Sequence, residues 1–423
     1  MNGIKSDNYI SVGRRLSFFT ILFYTVYLLI TFSGSTAIKL YIPYLFIIYP
    51  IVCAGMAITK QGKRAALINK YKSLQYPFLF VIAFSLYLVY QLSFAYVPTI
   101  VRVYIRRYLV LALMFVFVPR FWVYEKAIKY SKIYSVAVAI SIIVMTAIGG
   151  EKTGGLVGDF QAGGMMMSIA CIIFLIEYYE NSTNRFNLIW LLLSITGLLI
   201  SGKRMFTLIV VFAFFVLFIN SERKGRFKKF ISGILLGVIG LLVIITVVPS
   251  AREVFDRTMG LAGNAKYFTS GRNVLWEKAL IAFKDNKLFG IGFGAFQAYF
   301  RDNYIISGID ALLTHNIYIG LLAETGIIGT VIYLGFMVTV LVETLKIQRP
   351  VFKLNDQSMR YVFLNSLLLQ FWFIIYGFSG NGIYDANETF FYFSAIAMML
   401  SLKMELNRRK RLKKDARGFC DYQ

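Results

Sequence analysis

NIYIGLLAETGIIGTVIYLGFMVTVLVETL, residues 316–345, is an almost uninterrupted apolar block, and blocks of this kind decide the fold of the chain. A helix needs about 20 apolar residues to cross a bilayer. Over all 423 residues, 58% are hydrophobic and only 16% are charged, whereas soluble domains carry about 25% charged residues. We therefore predict a polytopic membrane protein and exclude a soluble, disordered or disulfide-rich one.

Twelve such blocks follow one another along the chain. Strands of a membrane barrel would be about 10 residues long with strict alternation, so we predict an all-α protein with about 12 transmembrane helices. We divide it into helices one to nine (1–249), an external loop (250–315), helices ten to twelve (316–404) and a basic tail (405–423). The predicted spans cover residues 16–33, 39–58, 77–97, 108–118, 133–149, 161–178, 187–201, 205–219, 230–249, 316–345, 361–378 and 389–404.

The charge pattern predicts the orientation of these spans. The net charge is +24, which on a soluble chain would suggest a nucleic-acid partner. With the N-terminus inside, the inner segments hold 30 Lys and Arg residues and the outer segments hold 15, of which 8 lie in the 250–315 loop. Because Lys and Arg favour cytoplasmic loops, we predict that both termini are cytoplasmic and that the long loop is external. No nucleic-acid partner is then needed to explain the charge.

Six of the 15 outer cations are candidates for a function, since they lie on the side that Lys and Arg disfavour. An arginine guanidinium forms bidentate, charge-assisted hydrogen bonds with phosphate, so we predict that these cations bind an anionic lipid head group. The alternative is that they only extend into the outer head groups of the bilayer. The six residues are Arg102, Arg106, Arg107, Lys203, Arg204 and Arg272.

The external loop is long enough to have a function of its own. We predict an amphipathic helix over 273–284, capped by Ser270, that lies along the outer membrane face. Glycines in the following segment, 288–296, permit tight turns or a close approach of the backbone to a ligand. The apolar side of the predicted helix carries Val274, Trp276, Leu280 and Phe283.

The chain has a single histidine, His315, at the point where the loop enters the tenth span. Histidine is the side chain best suited to accept a proton near neutral pH, and Asn316 could orient its ring or donate to a substrate. Farther along the span lies Glu324, and an acid within a membrane helix is by default a functional or pairing site. Gly326 and Gly329 allow a second helix to approach closely. One imidazole without an acid pair predicts no metal site and no cofactor.

Together these motifs resemble those of the O-antigen ligase and polymerase superfamily. The resemblance is carried by GRNVLW (271–276), LFGIG (288–292), HNIY (315–318) and ETGIIG (324–329). SGKR (201–204) resembles a short outer turn of the family, which often shows Ser-Arg there.

The resemblance implies a glycosyltransferase-C-like membrane fold and an enzyme that transfers glycan from undecaprenyl diphosphate without metal or nucleotide. It also implies an active site of Arg204, Arg272 and His315. The arginines would bind the diphosphate and stabilise it as a leaving group, and His315 would deprotonate the acceptor hydroxyl so that the anomeric configuration is inverted. To the substrate-binding set we assign Arg102, Arg106, Arg107, Lys203, Trp276, Asn316 and Glu324.

We predict an O-antigen or capsular polysaccharide polymerase in a bacterial inner membrane, with its active site facing the periplasm. Its partners would be an undecaprenyl-diphosphate-linked oligosaccharide, membrane lipid and a chain-length regulator protein. The alternatives are a ligase with a lipid A-core acceptor and a protein O-oligosaccharyltransferase. A lipid-linked sugar transporter or flippase should instead show internal repeats and charges near the bilayer centre.

Overall fold

The computed structural model describes residues 75–116, 121–149, 153–180, 186–220, 272–304 and 313–420, together with position 231. Over these residues the chain is all-α, as predicted, with eleven α-helices and no strand. The predicted spans 16–33 and 39–58 lie outside the described residues, as does 230–249 apart from position 231. The helices are α1 (Gln75–Gln91), α2 (Pro98–Val116), α3 (Phe121–Gly149), α4 (Phe160–Glu180), α5 (Phe186–Ile200), α6 (Arg204–Asn220), α7 (Arg272–Asp285), α8 (Phe296–Asn303), α9 (Ile317–Lys353), α10 (Gln357–Tyr376) and α11 (Ala386–Cys420).

Five of these helices are long and apolar enough to cross a membrane, namely α3, α4, α9, α10 and the Asn387–Leu412 part of α11. Shorter apolar helices are formed by α5 and by parts of α1 and α6. The chain is therefore an integral membrane protein. The number of twelve spans stays a prediction.

Two helices begin well before the apolar block that predicted them. The helix α2 starts at Pro98, ten residues ahead of the block 108–118, and α3 starts at Phe121 rather than at 133. Proline suits the first position of a helix because an N–H group there would have no partner within the helix, so its absence costs nothing. Hydropathy identifies only the part of a helix that enters the bilayer. As a result Arg102, Arg106 and Arg107 lie within α2 rather than in a connecting turn.

An aromatic stack holds the start of α6 beside the end of α10. Phe206 stacks on Tyr376 with ring centroids 4.9 Å apart, and Trp372 stacks on the same phenylalanine at 5.6 Å. The Trp372 indole donates to Ser168 Oγ at 2.8 Å, so the only polar atom of this buried side chain has a hydrogen-bond partner. This packing places Arg204, the first residue of α6, near the segment that follows α10.

The helix α9 is broken at Gly326, whose backbone (φ 60°, ψ −166°) lies in a region essentially restricted to glycine. A Cβ there would lie 2.4 Å from the carbonyl carbon of Leu288, so the break admits the loop 286–295 rather than only a neighbouring helix. The N–H of Ile291 donates to Ala323 O at 3.0 Å, and the N–H of Gly292 donates to Glu324 O at 2.9 Å. The loop therefore satisfies carbonyl groups that the broken helix leaves open, as a membrane interior requires.

Side chains of α1 complete this arrangement. Gln91 donates to the carbonyls of Phe289 (2.7 Å) and Glu324 (2.9 Å), and it accepts from the N–H of Phe293 (3.1 Å). Tyr87 donates to Thr325 O at 2.5 Å. The loop 286–295, α1 and α9 thus form one hydrogen-bonded unit.

The predicted amphipathic helix is present as α7, while Ser270 lies outside the described residues. Leu275 and the small residues Ala279 and Ala282 are buried against α9. The larger apolar side chains lie away from this contact: Leu280 is exposed, and Val274, Trp276 and Phe283 are half-buried. Small residues on the inner face let α7 approach α9 closely.

Candidate active site

Four of the residues singled out from the sequence come together at one end of α9. His315 precedes this helix, Arg272 begins α7, and Lys203 and Arg204 lie where α5 turns into α6. Arg272 and Lys203 are close enough to His315 for their charges to act on its imidazole, and Arg204 acts in the same way on Arg272. The structure therefore places Arg272 and Lys203 beside the single histidine, and Arg204 beside Arg272.

Arg272 is held by one residue of the segment between α10 and α11, which we call the 377–385 loop. Its Nη1 donates both to the carbonyl oxygen of Ser379 (2.8 Å) and to the hydroxyl oxygen of the same residue (2.9 Å). Burial lowers the pKa of Arg272, and the neighbouring Arg204 lowers it further, although arginine stays protonated in proteins. No other described residue accepts from this guanidinium, so its remaining N–H groups can bind an anion.

The turn between α5 and α6 supplies the other two cations. Gly202 has a positive φ of 67°, which lets the chain reverse there. Lys203 lies over the Phe160 ring, 4.5 Å from its centroid, and its Nζ is 3.4 Å from Gln161 Oε1. Burial lowers the pKa of Lys203, while the charge of Asp159 opposes this shift. Arg204 is exposed.

His315 adopts a left-handed backbone with φ 49°, which is uncommon for a residue with a side chain. Its backbone N–H donates to Asn381 Oδ1 at 2.9 Å, and its ring Nδ1 lies 3.0 Å from Asn381 Nδ2. Burial lowers the pKa of His315 to about 4, and the charges of Arg272 and Lys203 contribute to the shift. The imidazole is therefore neutral at pH 7.

Two residues predicted to bind substrate hold the segment around His315 instead. Asn316 caps α9, since its Oδ1 accepts from the N–H groups of Tyr318 (3.0 Å) and Ile319 (3.1 Å). Trp276 donates from its indole to the carbonyl of Thr314 at 2.9 Å. These contacts make both residues positioning groups for the histidine, and substrate binding by either one stays a prediction.

Glu324 is buried with only 1% of its surface exposed, and donors from the chain surround its carboxyl group. It accepts from the N–H groups of Gly294 (2.7 Å) and Phe296 (3.0 Å) and from the Tyr384 hydroxyl (2.6 Å). The carboxyl group thus joins α9 to the start of α8 and to the 377–385 loop. These contacts pair Glu324 within the protein, and its predicted role in substrate binding stays a prediction.

The three arginines of α2 have different environments. Arg107 donates to the carbonyl of Tyr384 and lies over the Tyr104 ring, 5.2 Å from its centroid. Arg102 and Arg106 are exposed, and neither bonds to another described residue. Only Arg107 is therefore connected to the 377–385 loop, and a role for the other two in substrate binding stays a prediction.

Sequence reasoning missed the contribution of the 377–385 loop. Ser379 and Asn381 bind Arg272 and His315, yet the run that contains them, SGNG (379–382), has the composition of an ordinary turn. Glu388 was also missed, because it lies one residue before the apolar block 389–404. It is 2% exposed and interacts with Tyr376, Gln161 and Lys203, while its Oε2 has no hydrogen-bond partner among the described residues.

Comparison with known protein families agrees with this geometry. Residues 189–334, about a third of the chain, match the family model described as O-antigen ligase. The matched region contains Lys203, Arg204, Arg272 and His315, and the match confirms the resemblance to the O-antigen ligase and polymerase superfamily. It indicates a glycosyltransferase-like enzyme. No curated protein matches the chain.

Metal ligands are not grouped in the part of the chain that the structure describes. No three His, Cys, Asp or Glu side chains cluster there in a way that could hold an ion. The groups that are assembled, cations and a neutral imidazole, suit an anionic substrate.

Proposed function

We propose that this member of the O-antigen ligase and polymerase superfamily is a polysaccharide polymerase. It transfers glycan from undecaprenyl diphosphate to the terminal sugar of another lipid-linked repeat unit and so extends an O-antigen or capsular chain. The observation that carries the proposal is a cluster at one end of α9, in which Arg272 and Lys203 lie beside His315 and Arg204 lies beside Arg272. Separate segments of the chain supply these residues.

This set of groups fits a diphosphate leaving group. In the transfer, the acceptor hydroxyl oxygen bonds to the anomeric carbon while the bond from that carbon to the diphosphate oxygen breaks. Negative charge develops on the diphosphate, and preformed cationic donors stabilise charge of this kind. Attack from the opposite face inverts the anomeric centre. The neutral imidazole of His315 lies among these cations, and the sequence predicts it as the base.

Ion pairs at the far end of α9 support an active site on the outer side of the membrane. The turn that follows α9 carries Asp356, which pairs with Arg409 at 2.8 Å, and Lys403 pairs with Glu343 nearby. The charge pattern predicts that this basic end is cytoplasmic. His315 lies at the opposite end of the helix, so we assign the site to the periplasmic face of the inner membrane.

The test is the product formed by purified protein in lipid nanodiscs that receive only undecaprenyl-diphosphate-linked repeat units. We expect a ladder of lengthened glycans, and we expect His315→Ala and Arg272→Ala to abolish it. Lys129→Ala serves as a control, since this exposed residue pairs only with Glu125 one turn away. No ladder from a folded, correctly inserted protein would overturn the polymerase assignment.

The ligase is the second candidate, because the matched family model carries that description. Transfer that begins only when lipid A-core oligosaccharide is added would identify a ligase. Transfer that begins only with an added protein acceptor would identify an oligosaccharyltransferase. Movement of the lipid-linked sugar across the bilayer without any new glycosidic bond would identify a transporter.

A further inference from the structure

Two contacts tie His315 to the side chain of Asn381. The backbone N–H of His315 donates to Asn381 Oδ1 at 2.9 Å, and the ring Nδ1 lies 3.0 Å from Asn381 Nδ2. Asn381 is itself fixed, because its carbonyl oxygen accepts the N–H of Tyr384 at 2.8 Å. The left-handed backbone of His315 indicates that its surroundings determine its conformation.

The first contact determines which way the Asn381 amide faces. A backbone N–H can only donate, so the side-chain atom that it meets must be the amide oxygen. The atom that meets the imidazole is then the amide nitrogen, which carries two hydrogens and accepts none. The reversed amide would set two donors against each other at the His315 backbone.

The second contact then determines the tautomer of the ring. Because Asn381 Nδ2 donates, the ring Nδ1 must accept with its lone pair. A neutral imidazole has one protonated and one unprotonated nitrogen, so the proton lies on Nε2. No described residue accepts from this Nε2–H group. Burial and the neighbouring cations keep the ring neutral, so this tautomer is the form that a substrate meets.

We propose that Asn381 is a positioning residue that keeps His315 in the Nε2–H form, so that His315 acts as a hydrogen-bond donor to the substrate diphosphate. The inference rests on the proposed function and deepens it. His315 then joins Lys203, Arg204 and Arg272 as a fourth donor at the site. This replaces the role of base that the sequence predicts, because Asn381 occupies one ring lone pair and a proton occupies the other.

The reaction balances without a protein base. The acceptor hydroxyl oxygen forms a bond to the anomeric carbon, and the bond from that carbon to the diphosphate oxygen breaks. The electron pair of the broken bond stays on the diphosphate oxygen, which His315 and the cations stabilise. The proton of the acceptor hydroxyl passes to water on the attacking face, because the departing diphosphate lies on the opposite face of the anomeric carbon.

The first test reads the tautomer directly. Because the chain has one histidine, the full-length protein with ¹⁵N-labelled imidazole and a histidine-free tag gives the signals of His315 alone. We expect the ¹⁵N shifts at pH 7 to show a protonated Nε2 and an unprotonated Nδ1. The opposite pattern, or a doubly protonated ring, would overturn the proposal even if the protein transfers glycan.

The second test reverses the tautomer with Asn381→Asp. A carboxylate still accepts the His315 backbone N–H, but it also accepts from the ring, which favours the Nδ1–H form and leaves Nε2 unprotonated. Activity is compared at a pH at which the same spectra show a neutral ring in both proteins. We expect glycan transfer to fall by about ten- to a hundredfold, as for one lost hydrogen bond to a charged group. Unchanged or faster transfer with the reversed tautomer would identify His315 as the base and overturn the donor role.

The matched control is Asn355→Asp, the same substitution at an exposed residue in the turn after α9. It should change neither the ring shifts nor the rate, and an equal loss of rate would contradict a specific effect at Asn381.

Inorganic pyrophosphate tests whether His315 donates to a bound diphosphate before any reaction takes place. Its addition to the wild-type protein should shift the Nε2 signal while the nitrogen stays protonated, and pyrophosphate binding that leaves this signal unmoved would overturn the contact. A confirmed tautomer in a protein that transfers no glycan would refute the proposed function alone.

Discussion

The guanidinium of Arg272 uses one nitrogen for contacts within the protein. This nitrogen donates two hydrogen bonds to Ser379, which orient the planar group and leave its other N–H groups for the diphosphate of the proposed substrate. A lysine ammonium is a point charge and cannot reproduce this fork. We expect Arg272→Lys to slow glycan transfer by about ten- to a hundredfold, since hydrogen bonds to charged groups contribute about 1.5–3 kcal/mol.

Initial rates with lipid-linked repeat units measure this effect. Ser379→Ala provides the graded comparison, because it removes the hydroxyl acceptor but keeps the carbonyl, and we expect a loss smaller than tenfold. Full activity of Arg272→Lys would show that charge alone suffices at this position.

The pKa of His315 predicts how acid affects stability. Burial and the charges of Arg272 and Lys203 lower this pKa from 6.5 to about 4 in the folded protein. Between these two values the unfolded chain binds a proton that the folded protein does not, so stability falls as the pH falls. Above about pH 6.5 the ring is neutral in the unfolded chain as well, so His315 no longer makes stability depend on pH.

We therefore expect the thermal unfolding temperature of the detergent-solubilised wild type to drop between pH 6.5 and pH 4 more steeply than that of His315→Gln, which cannot titrate there. Parallel curves for the two proteins would contradict a lowered pKa at His315.

The predictability of the site depends on the kind of residue. His315, Arg272 and the Lys203–Arg204 pair could be identified from the sequence because they lie in the motifs that carry the family resemblance and because the chain has only one histidine. Ser379 and Asn381 could not, because their roles come from contacts with residues 107 and 66 positions away. Serine and asparagine in a turn have a local explanation already, so no pattern distinguishes these two from ordinary turn residues.

At the scale of elements, the break in α9 is the feature that the fold tolerates least. Gly326 adopts a backbone available essentially to glycine alone, and a Cβ there would also meet the Leu288 carbonyl. We expect Gly326→Ala to release the loop 286–295 and to destabilise the protein by several kcal/mol, since strain of this kind costs about 1–3 kcal/mol before any clash is counted. Limited proteolysis within the loop and the thermal unfolding temperature measure the effect.

Gly335→Ala is the matched control in the same helix. A Cβ at this position meets only Phe80 Cε1 at 3.4 Å, which is an ordinary van der Waals distance. Replacing glycine by alanine inside a helix then favours folding by up to about 1 kcal/mol. Equal stability of the Gly326 and Gly335 variants would show that the loop does not depend on the break.

The sequence predicted a helix correctly where the signal, hydropathy or periodicity, lies within that helix. Hydropathy located α4, α10 and most of α9, and helical periodicity located α7. The early starts of α2 and α3 were missed because charged residues, such as Arg106 in α2 and Lys129 in α3, separate their first turns from the apolar block. Glycine at 326 predicted a close approach, but the sequence could not show that the approaching element is a loop, since this depends on hydrogen bonds formed with residues 287–292.

At the scale of the whole molecule, the two ends of α9 differ in whether the cations around them are paired with acids. Cations near its start remain available to an anion, whereas those near its end are paired with acids, as in Lys403–Glu343 and Arg409–Asp356. The helix contains 37 residues, which at about 1.5 Å each exceeds the thickness of a bilayer core. The excess of cations on the second side predicts that this side is cytoplasmic, and the proposed transfer at the outer face depends on that orientation.

Single cysteines introduced at the two sides test this orientation in a chain from which Cys53, Cys171 and Cys420 have been replaced. Arg301→Cys and Asn355→Cys both place the thiol at exposed positions, the first in α8, which packs against the first part of α9, and the second in the turn after α9. We expect a membrane-impermeant maleimide to label Arg301→Cys in intact spheroplasts and Asn355→Cys only after lysis. The reverse pattern would place the cation cluster in the cytoplasm. Transfer at the outer face would then be impossible, even if the geometry around His315 were correct in every other respect.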